Sequence, residues 1–458
     1  MKNASLVAEV EGADLGDARR SGRLMQILAR VAEEPGLSLP ETFGPGSNLE
    51  ATYRFLNNAD VDSEAILRPH IDATRERSLG KTVLVIHDTT EFRFGGKAKR
   101  LGLGLVGVSG QGFYGHFSFA VSSDGRREPL GVVGLKTWVR DSKKGIRSTS
   151  ERRLEPTLES DRWLEQSKAA EKSLDGIALV HVEDREGDIY ESLAQRVMQR
   201  MRFIVRGVGN RRVVLDGGRE KPLLEQITAA PTRCTRAVLL SERNPTREDQ
   251  RKRQPQRRAR QAILSISGIR IELRRPTRDD TSPKSLMLNV VYVVEKNPPE
   301  GETPVEWVLM TSEPIETEEQ LAWIVDGYRA RWIIEEFFKA LKTGCGYEAR
   351  QLESYDALRR ALSIYSIVAW HLLVLRHLER HDDGASAATI APRSQIAVLQ
   401  AQGRLGSEPT VREYLKAVAN LGGHIPRNGP PGWLILWRGI RALELLATGW
   451  DISRCDQS

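Results

Sequence analysis

Two short runs of β-branched and other apolar residues, each followed by acidic residues, constrain the fold of this chain more than any other feature. The run 82–86 precedes Asp88, and the run 176–182 precedes Asp184. Runs of this length and composition are typical of strands that are buried inside a sheet. We therefore expect two neighbouring strands, each with a carboxylate at its carboxyl-terminal end.

The segments around these two runs predict a mixed α/β sheet. Further strands and helices alternate along the chain in the order β-β-β-α-β-α-β, which is typical of a sheet with helices packed on it. We assign strands to 113–122, 129–139 and 202–208, and helices to 149–174 and 189–201.

The remaining residues predict a core that is interrupted once and flanked by helices. Residues from about 210 to 312 alternate in short segments and read as a β-rich insertion. The chain of 458 residues is long enough for about three domains. We expect a helical domain at 1–70, an α/β domain at 71–345 that contains the insertion, and a helical domain at 346–458.

Charge favours a polyanionic partner. Lys and Arg number 68 against 61 Asp and Glu, and the pI is about 9.3. The stretch 247–260 holds seven basic residues against two acids. Two interpretations of this stretch remain open, a solvated loop and a segment that contacts phosphates.

Several classes of protein are disfavoured by what the chain lacks. The three cysteines are far apart, which argues against a disulfide framework and a thiolate zinc site. The longest nearly apolar run, 361–375, is shorter than the roughly 20 residues of a membrane span. No secretion signal and no phosphate-binding loop motif are present. We expect a cytoplasmic protein that needs neither a membrane nor ATP.

One predicted helix carries a polar stripe. From Leu321 onward, helical periodicity places Tyr328, Arg331, Glu335 and Lys342 on one face, opposite an apolar face. A salt-bridged surface would also give this pattern, because Arg331 and Glu335 are four residues apart. Two aspartates at strand ends and a glutamate on a later helix are, however, the oxygen ligands that a two-metal phosphoryl-transfer site requires.

These motifs together resemble the DDE transposases of the "insertion sequence four" family. The resemblance rests on Asp88-Thr89-Thr90, on the run 184–188 and on the spacing Tyr-x2-Arg-x3-Glu-x6-Lys, and it covers nearly the whole chain. It implies a ribonuclease H-like core with a β-rich insertion. It also implies a metal-binding catalytic triad of Asp88, Asp184 and Glu335 that holds Mg²⁺ or Mn²⁺.

The resemblance further implies a set of DNA-binding residues. Trp307 aligns with a tryptophan that stacks on a base flipped out beside the cleavage site. The family uses the positions of Arg23 and Arg54 on transposon ends, but Glu33 and Glu34 stand where a basic residue is expected, so end specificity should differ. The implied DNA-binding residues are Tyr328, Arg331, Lys342, Trp307, Arg206, Arg23 and Arg54.

Four other residues in these motifs read as structural. The signature spacing selects Glu335 over Glu336, and Asp188 fits a position at the start of a helix, where its charge meets the helix dipole. Strand alternation directs His87 away from Asp88. Trp332 is expected to pack in the core.

The resemblance implies a cut-and-paste DNA transposase that binds terminal inverted repeats and cleaves them through a hairpin intermediate. It also implies a homodimer that joins double-stranded transposon ends to target DNA, with the C-terminal helices as the dimer surface. Two alternatives stay open. A ribonuclease H-like nuclease or resolvase would share the acids but needs no Tyr-Arg-Glu-Lys face, and a non-cleaving inhibitor would occupy ends without cutting them.

Overall fold

A computed structural model provides the architecture of the chain. Two sequence predictions fall partly outside the residues it describes, namely 149–158 of the predicted helix and 247–255 of the basic stretch. The described residues are 6–96, 98–107, 110–140, 159–208, 211–240, 242–243, 256–277, 281–381, 384–428 and 431–455.

The centre of the fold is a mixed sheet. β3 pairs antiparallel with β1 and β4, whereas β5 pairs parallel with β1 and β6. The resulting order β4-β3-β1-β5-β6, with these orientations, is that of a ribonuclease H-like sheet, which confirms the predicted fold class. The strands are β1 (Thr82–Phe94), β2 (Gly104–Val106), β3 (Gly110–Ser122), β4 (Pro129–Trp138), β5 (Ala178–Glu183) and β6 (Phe203–Arg206).

The insertion is β-rich, as predicted, and it continues the same sheet. β12 pairs antiparallel with β6, so the core and the insertion form one sheet of 12 strands. β10 and β11 form a long hairpin at the centre of this extension. The insertion contains β7 (Arg212–Val214), β8 (Glu220–Pro222), β9 (Cys234–Leu240), β10 (Arg260–Arg274), β11 (Ser285–Lys296) and β12 (Glu306–Thr311).

Helices cover both faces of the central sheet, and alternation along β1 decides which face each side chain enters. Val83 and Val85 are buried in the cluster that includes Ala170 of one helix. Leu84 and Ile86 are buried in the cluster that includes Leu321 of another. The N-terminal module contains α1 (Ala18–Glu33), α2 (Leu39–Phe43) and α3 (Ser47–Asn57). The central domain contains α4 (Ser63–Ser78), α5 (Arg162–Ser173), α6 (Tyr190–Met198), α7 (Leu223–Thr228), α8 (Glu318–Ala330) and α9 (Trp332–Lys339).

The N-terminal module is helical, as predicted. α1 buries Leu24, Ile27, Leu28 and Val31 on one face. The predicted boundary at residue 70 falls inside α4, whose residues pack against β4 and the helix that begins at Tyr355. α4 therefore belongs to the core.

A long buried helix, α10 (Tyr355–Arg380), links the core to the C-terminal helices. It is the one helix among the described residues that is long and apolar enough to cross a membrane, but 72% of its most apolar window is buried in the fold. We read it as a core helix. The C-terminal helices are α11 (Arg393–Ala401), α12 (Val411–Leu421) and α13 (Trp433–Cys455), and a segment rich in Gly and Pro, 422–432, separates the last two.

Candidate active site

Asp88 lies in the middle of β1, so the expectation that it ends its strand is wrong. The parallel pairing with β5 stops at Ile86, but β1 continues beside β3 as an antiparallel ribbon as far as Phe94. Phe92 and Phe94 of this ribbon pack edge-on against the ring of Tyr347. Asp88 is thus at the end of the parallel pairing rather than at the end of the strand.

Asp184 follows the last residue of β5 directly, as predicted. Its side chain caps the short 3-10 turn Arg185–Gly187 by accepting a hydrogen bond from the Glu186 amide at 2.8 Å. The turn holds the carboxylate at the carboxyl-terminal edge of the sheet.

Arg331 connects two members of the predicted triad. It lies at the junction of α8 and α9, where Nη1 donates to the Asp88 carboxylate and Nη2 donates to the Glu335 carboxylate, both at 2.7 Å. The Asp88 side chain is 16% exposed and that of Glu335 is 35% exposed. The structure therefore brings Asp88, Arg331 and Glu335 into one hydrogen-bonded group.

The electrostatics of this group are unbalanced. Burial raises the pKa of Asp88 to about 7, and the Asp184 and Glu335 carboxylates contribute in the same direction, although Arg331 opposes them. Burial alone would lower the pKa of Arg331, but Asp88, Tyr328 and Glu335 raise it. The three carboxylates therefore carry more negative charge than Arg331 neutralises.

A divalent cation fits the chemistry of this donor set. Carboxylate oxygens are the preferred ligands of Mg²⁺ and Mn²⁺. Burial raises the pKa of Asp88, with Asp184 and Glu335 adding to the effect, and a bound cation would favour the charged carboxylate. Within the described residues, no group of three His, Cys, Asp or Glu side chains has the spacing of a metal site. Arg331 occupies the space between Asp88 and Glu335 instead.

Tyr328, Trp307 and Arg206 form a second group beside the first. The half-buried Trp307 ring on β12 packs edge-on against Tyr328 with ring centroids 5.4 Å apart. Arg206 ends β6 and donates to the Glu306 carbonyl at 3.1 Å. Burial lowers the pKa of Arg206, which Tyr328 partly offsets. The three residues are thus neighbours.

Lys342 departs from the predicted stripe. A five-residue π-helical turn, Ala340–Gly344, follows α9 and changes the helical phase. Lys342 therefore donates to the Glu91 carbonyl on β1, and its Nζ lies 3.9 Å from the Glu348 carboxylate. Burial lowers its pKa.

Glu336 and Asp188, which are not members of the predicted triad, have structural partners. Glu336 lies 3.6 Å from Arg376 and 3.7 Å from Arg380, on the side of α9 that faces α10. Asp188 accepts from the Val208 amide at 2.7 Å and pairs with Arg211. Arg211 and this amide, rather than a helix dipole, therefore stabilise Asp188.

One tryptophan prediction is wrong, and the histidine prediction agrees with the structure. Trp332 is 53% exposed, because it lies on the surface of α9 beside a cleft rather than over the sheet. His87 is buried on the face of β1 opposite Asp88. There its Nε2 lies 2.9 Å from Nδ1 of His181, and its Nδ1 lies 3.0 Å from Oγ of Ser118.

Sequence reasoning missed Arg162. This residue begins α5 and is 8% exposed. Its Nε donates to Oγ1 of Thr89 at 3.1 Å and its Nη2 donates to the Glu186 carboxylate at 2.9 Å. Arg162 therefore links the residues next to Asp88 and Asp184, but the sequence around it is so rich in charges that nothing singles it out.

The two arginines predicted to bind transposon ends lie on the N-terminal module. Arg54 is exposed on α3, and Arg23 lies on α1 with its Nη1 3.4 Å from Oδ1 of Asn48. Two other arginines of α1 have ion-pair partners, since Arg19 pairs with Asp17 and Arg20 pairs with Asp60.

Two family models match the chain. A model described as "Transposase DNA-binding" matches residues 3–61, and one described as "Transposase DDE domain" matches residues 188–370. The second match includes Arg331 and Glu335 and begins after Asp88 and Asp184. The chain therefore combines a transposase DNA-binding domain with a transposase DDE domain.

A solved structure is also similar to this chain. It is the cryo-EM structure of a piggyBac transposase synaptic complex with hairpin DNA, at 10% sequence identity and a TM-score of 0.37, over 83% of this chain and 73% of that one. A likeness at this level carries no argument about the site. The assignment rests on the family models and on the residues described above.

Proposed function

We propose that this chain, a DDE transposase by its two domains, moves a DNA element by the cut-and-paste route of the "insertion sequence four" family. In that route, water first cleaves one strand at each transposon end. The new 3′-hydroxyl then attacks the opposite strand, which forms a hairpin and releases the flanking DNA. Hydrolysis reopens the hairpin, and the 3′-hydroxyl finally attacks target DNA.

The unbalanced carboxylate group carries this proposal. Asp88, Asp184 and Glu335 would hold Mg²⁺ or Mn²⁺, which activates the attacking oxygen and stabilises the leaving oxygen of each displacement. Arg331 would donate to the phosphate in the same pocket once its carboxylate partners bind cations.

Neighbouring residues would position the DNA. Tyr328 and Lys342 lie before and after Glu335 along the chain, and both would donate to phosphate oxygens. Trp307 packs against Tyr328, so its indole would lie next to DNA bound at Tyr328 and would stack on a base flipped from the end. Arg206, beside Tyr328, would contact the same strand. Arg23 and Arg54 would bind the end through the N-terminal module.

We further propose that two copies act together, in a bacterial cytoplasm and on nucleoid DNA, without ATP or a membrane. α13 exposes Leu445, Leu446 and Ile452, which are apolar side chains suited to a contact between C-terminal helices. Sedimentation of the protein on paired end DNA as a monomer would contradict the dimer.

A plasmid that carries both element ends, taken from the DNA that flanks the coding sequence, tests the function. The purified protein and its D184A variant are incubated with the plasmid in Mg²⁺ or in EDTA. Excision with hairpinned ends that requires Mg²⁺ and Asp184 supports the proposal. Specific end binding without cleavage would support the inhibitor instead, and cleavage that ignores the end sequence would support the nuclease.

A further inference from the structure

A basic cleft lies on the side of α9 that faces α10. Its volume is about 230 Å³, and its apolar surface comes from residues that include Ile333 and Leu373. We call it the basic cleft and define it by its arginines, Arg126, Arg127, Arg329, Arg376 and Arg380.

The cleft has a surplus of positive charge. Glu336 is the acid in its lining, and it is shared by Arg376 and Arg380 at distances longer than a hydrogen bond. Asp326, just outside, pairs with Arg329 at 3.0 Å and lies 3.8 Å from Arg127. The arginines that line the cleft therefore outnumber the acid in its lining.

The burial and crowding of these cations lower their pKa values. Burial lowers the pKa of Arg376, and the neighbouring Arg380 lowers it further against the effect of Glu336. Burial likewise lowers the pKa of Arg127, with Arg329 contributing in the same direction. An anion in the cleft would remove this mutual repulsion.

The cleft and the carboxylate site share one helix. Arg331 and Glu335 project from α9 toward Asp88, whereas Trp332 and Glu336 are each one position further along and project toward the cleft. A helix is roughly 10 Å across, and each strand of a DNA duplex carries a phosphate about every 3.4 Å along its axis. DNA with one phosphate at the carboxylates therefore brings other phosphates within reach of the cleft.

We propose that the basic cleft binds backbone phosphates of duplex DNA outside the catalytic centre. The inference rests on the proposed function in naming DNA as the ligand. Its phosphates would belong either to target DNA or to DNA that continues from a transposon end, and both sources present the same chemistry to the arginines.

Equilibrium DNA binding in EDTA tests the cleft, because no cleavage occurs without a metal. A negative result for the cleft can therefore be told apart from a negative result for the transposase reaction. The full-length R376Q/R380Q variant is titrated with fluorescent duplexes of random sequence and with duplexes that carry an element end, across a salt series. R393Q/R404Q is the matched control, because both arginines are exposed elsewhere on the chain. Thermal melting shows whether each variant is folded.

We expect R376Q/R380Q to bind about tenfold more weakly than the control, with a salt slope smaller by up to about 1.8, or 0.9 for each lost phosphate contact. If affinity falls for both duplexes, or for the random duplex, the cleft binds target DNA. If affinity falls only for the end duplex, the cleft binds DNA that continues from the end. E336Q provides an opposite test that keeps both arginines, since removal of the acid should tighten binding several-fold. Unchanged binding and slope in R376Q/R380Q, or in E336Q if the first variant does not fold, would overturn the proposal.

Discussion

His87 and Asp88 are neighbours on β1, yet their side chains lie on opposite faces of the sheet and have different partners. His87 has a partner at each ring nitrogen, and burial lowers its pKa well below 6.5, so it is neutral in the fold. Asp88 is also buried but faces two other carboxylates, and its pKa rises from 3.8 to about 7. Burial favours the neutral form of both groups, which lowers the pKa of His87 and raises that of Asp88. The faces differ in their partners, since His87 has His181 and Ser118 as hydrogen-bond partners, whereas Asp88 shares Arg331 with other carboxylates. The unbalanced face is the one suited to chemistry.

The largest effect should come from removal of a carboxylate on the unbalanced face. We expect D184N and E335Q each to reduce Mg²⁺-dependent cleavage at least about 10³-fold, because each loses an oxygen ligand at the reacting phosphate. Initial rates of plasmid excision measure this. E225Q, which removes an exposed carboxylate on the insertion, is the matched control. Near-normal excision by D184N or E335Q would remove the catalytic role from this face.

The pH dependence of stability should separate the two faces. Because the folded protein binds the Asp88 proton more tightly than the unfolded chain does, the contribution of Asp88 to stability falls as pH rises from about 4 to about 7. In EDTA, D88N should therefore exceed the wild type by on the order of 2–4 kcal/mol at pH 8, and this advantage should vanish near pH 4. Chemical denaturation across this range measures both curves. Parallel stability curves for D88N and the wild type would show that folding does not raise the pKa of Asp88.

The opposite sign is expected on the other face. His87 is neutral in the fold but gains a proton in the unfolded chain below about pH 6.5, so its contribution to stability is lost as pH falls below that value. H87Q should cost about 1–3 kcal/mol at pH 8, because Ser118 and His181 lose a partner. Denaturation at pH 8 and pH 5.5 should show a smaller cost at the lower pH. A cost that grows on acidification would contradict a neutral His87.

The smallest effect should come from a position far from both faces. R54Q removes one exposed cation of the N-terminal module and should weaken binding to an element end by roughly fivefold, with a lower salt slope. Fluorescence anisotropy with end duplexes measures the affinity. Cleavage at saturating protein should match the wild type, and a lower cleavage rate at saturation would link this module to the chemistry.

Much of the central sheet and the Arg331–Glu335 contact were predictable from the sequence, because strand and helix periodicities fix which side chains of one element share a face. Alternation along the strand alone places His87 and Asp88 on opposite faces. A four-residue interval along the helix places Arg331 and Glu335 on the same face. These are local patterns. These patterns hold even though β1 continues past Asp88, because the length of β1 depends on its pairing with β3 and not on the local sequence.

Features that depend on distant packing were not predictable. Phase counting along an ideal helix misplaces Lys342, since this residue lies within a π-helical turn. Trp332 was expected in the core because it is large and apolar, but only the packing of α9 against α10 decides that its side chain borders a cleft. Arg162 acts across the sheet from Thr89 to Glu186, and no spacing in the sequence encodes that link.

Proton release on Mg²⁺ binding tests the central claim most directly. Because burial and the neighbouring carboxylates raise the pKa of Asp88 to about 7, Mg²⁺ binding at pH 7 should release about half a proton, and D88N should release none. Calorimetric titration in two buffers of different ionisation enthalpy measures the released protons. Mg²⁺ binding with equal heats in both buffers, or no binding by the wild type, would contradict the account.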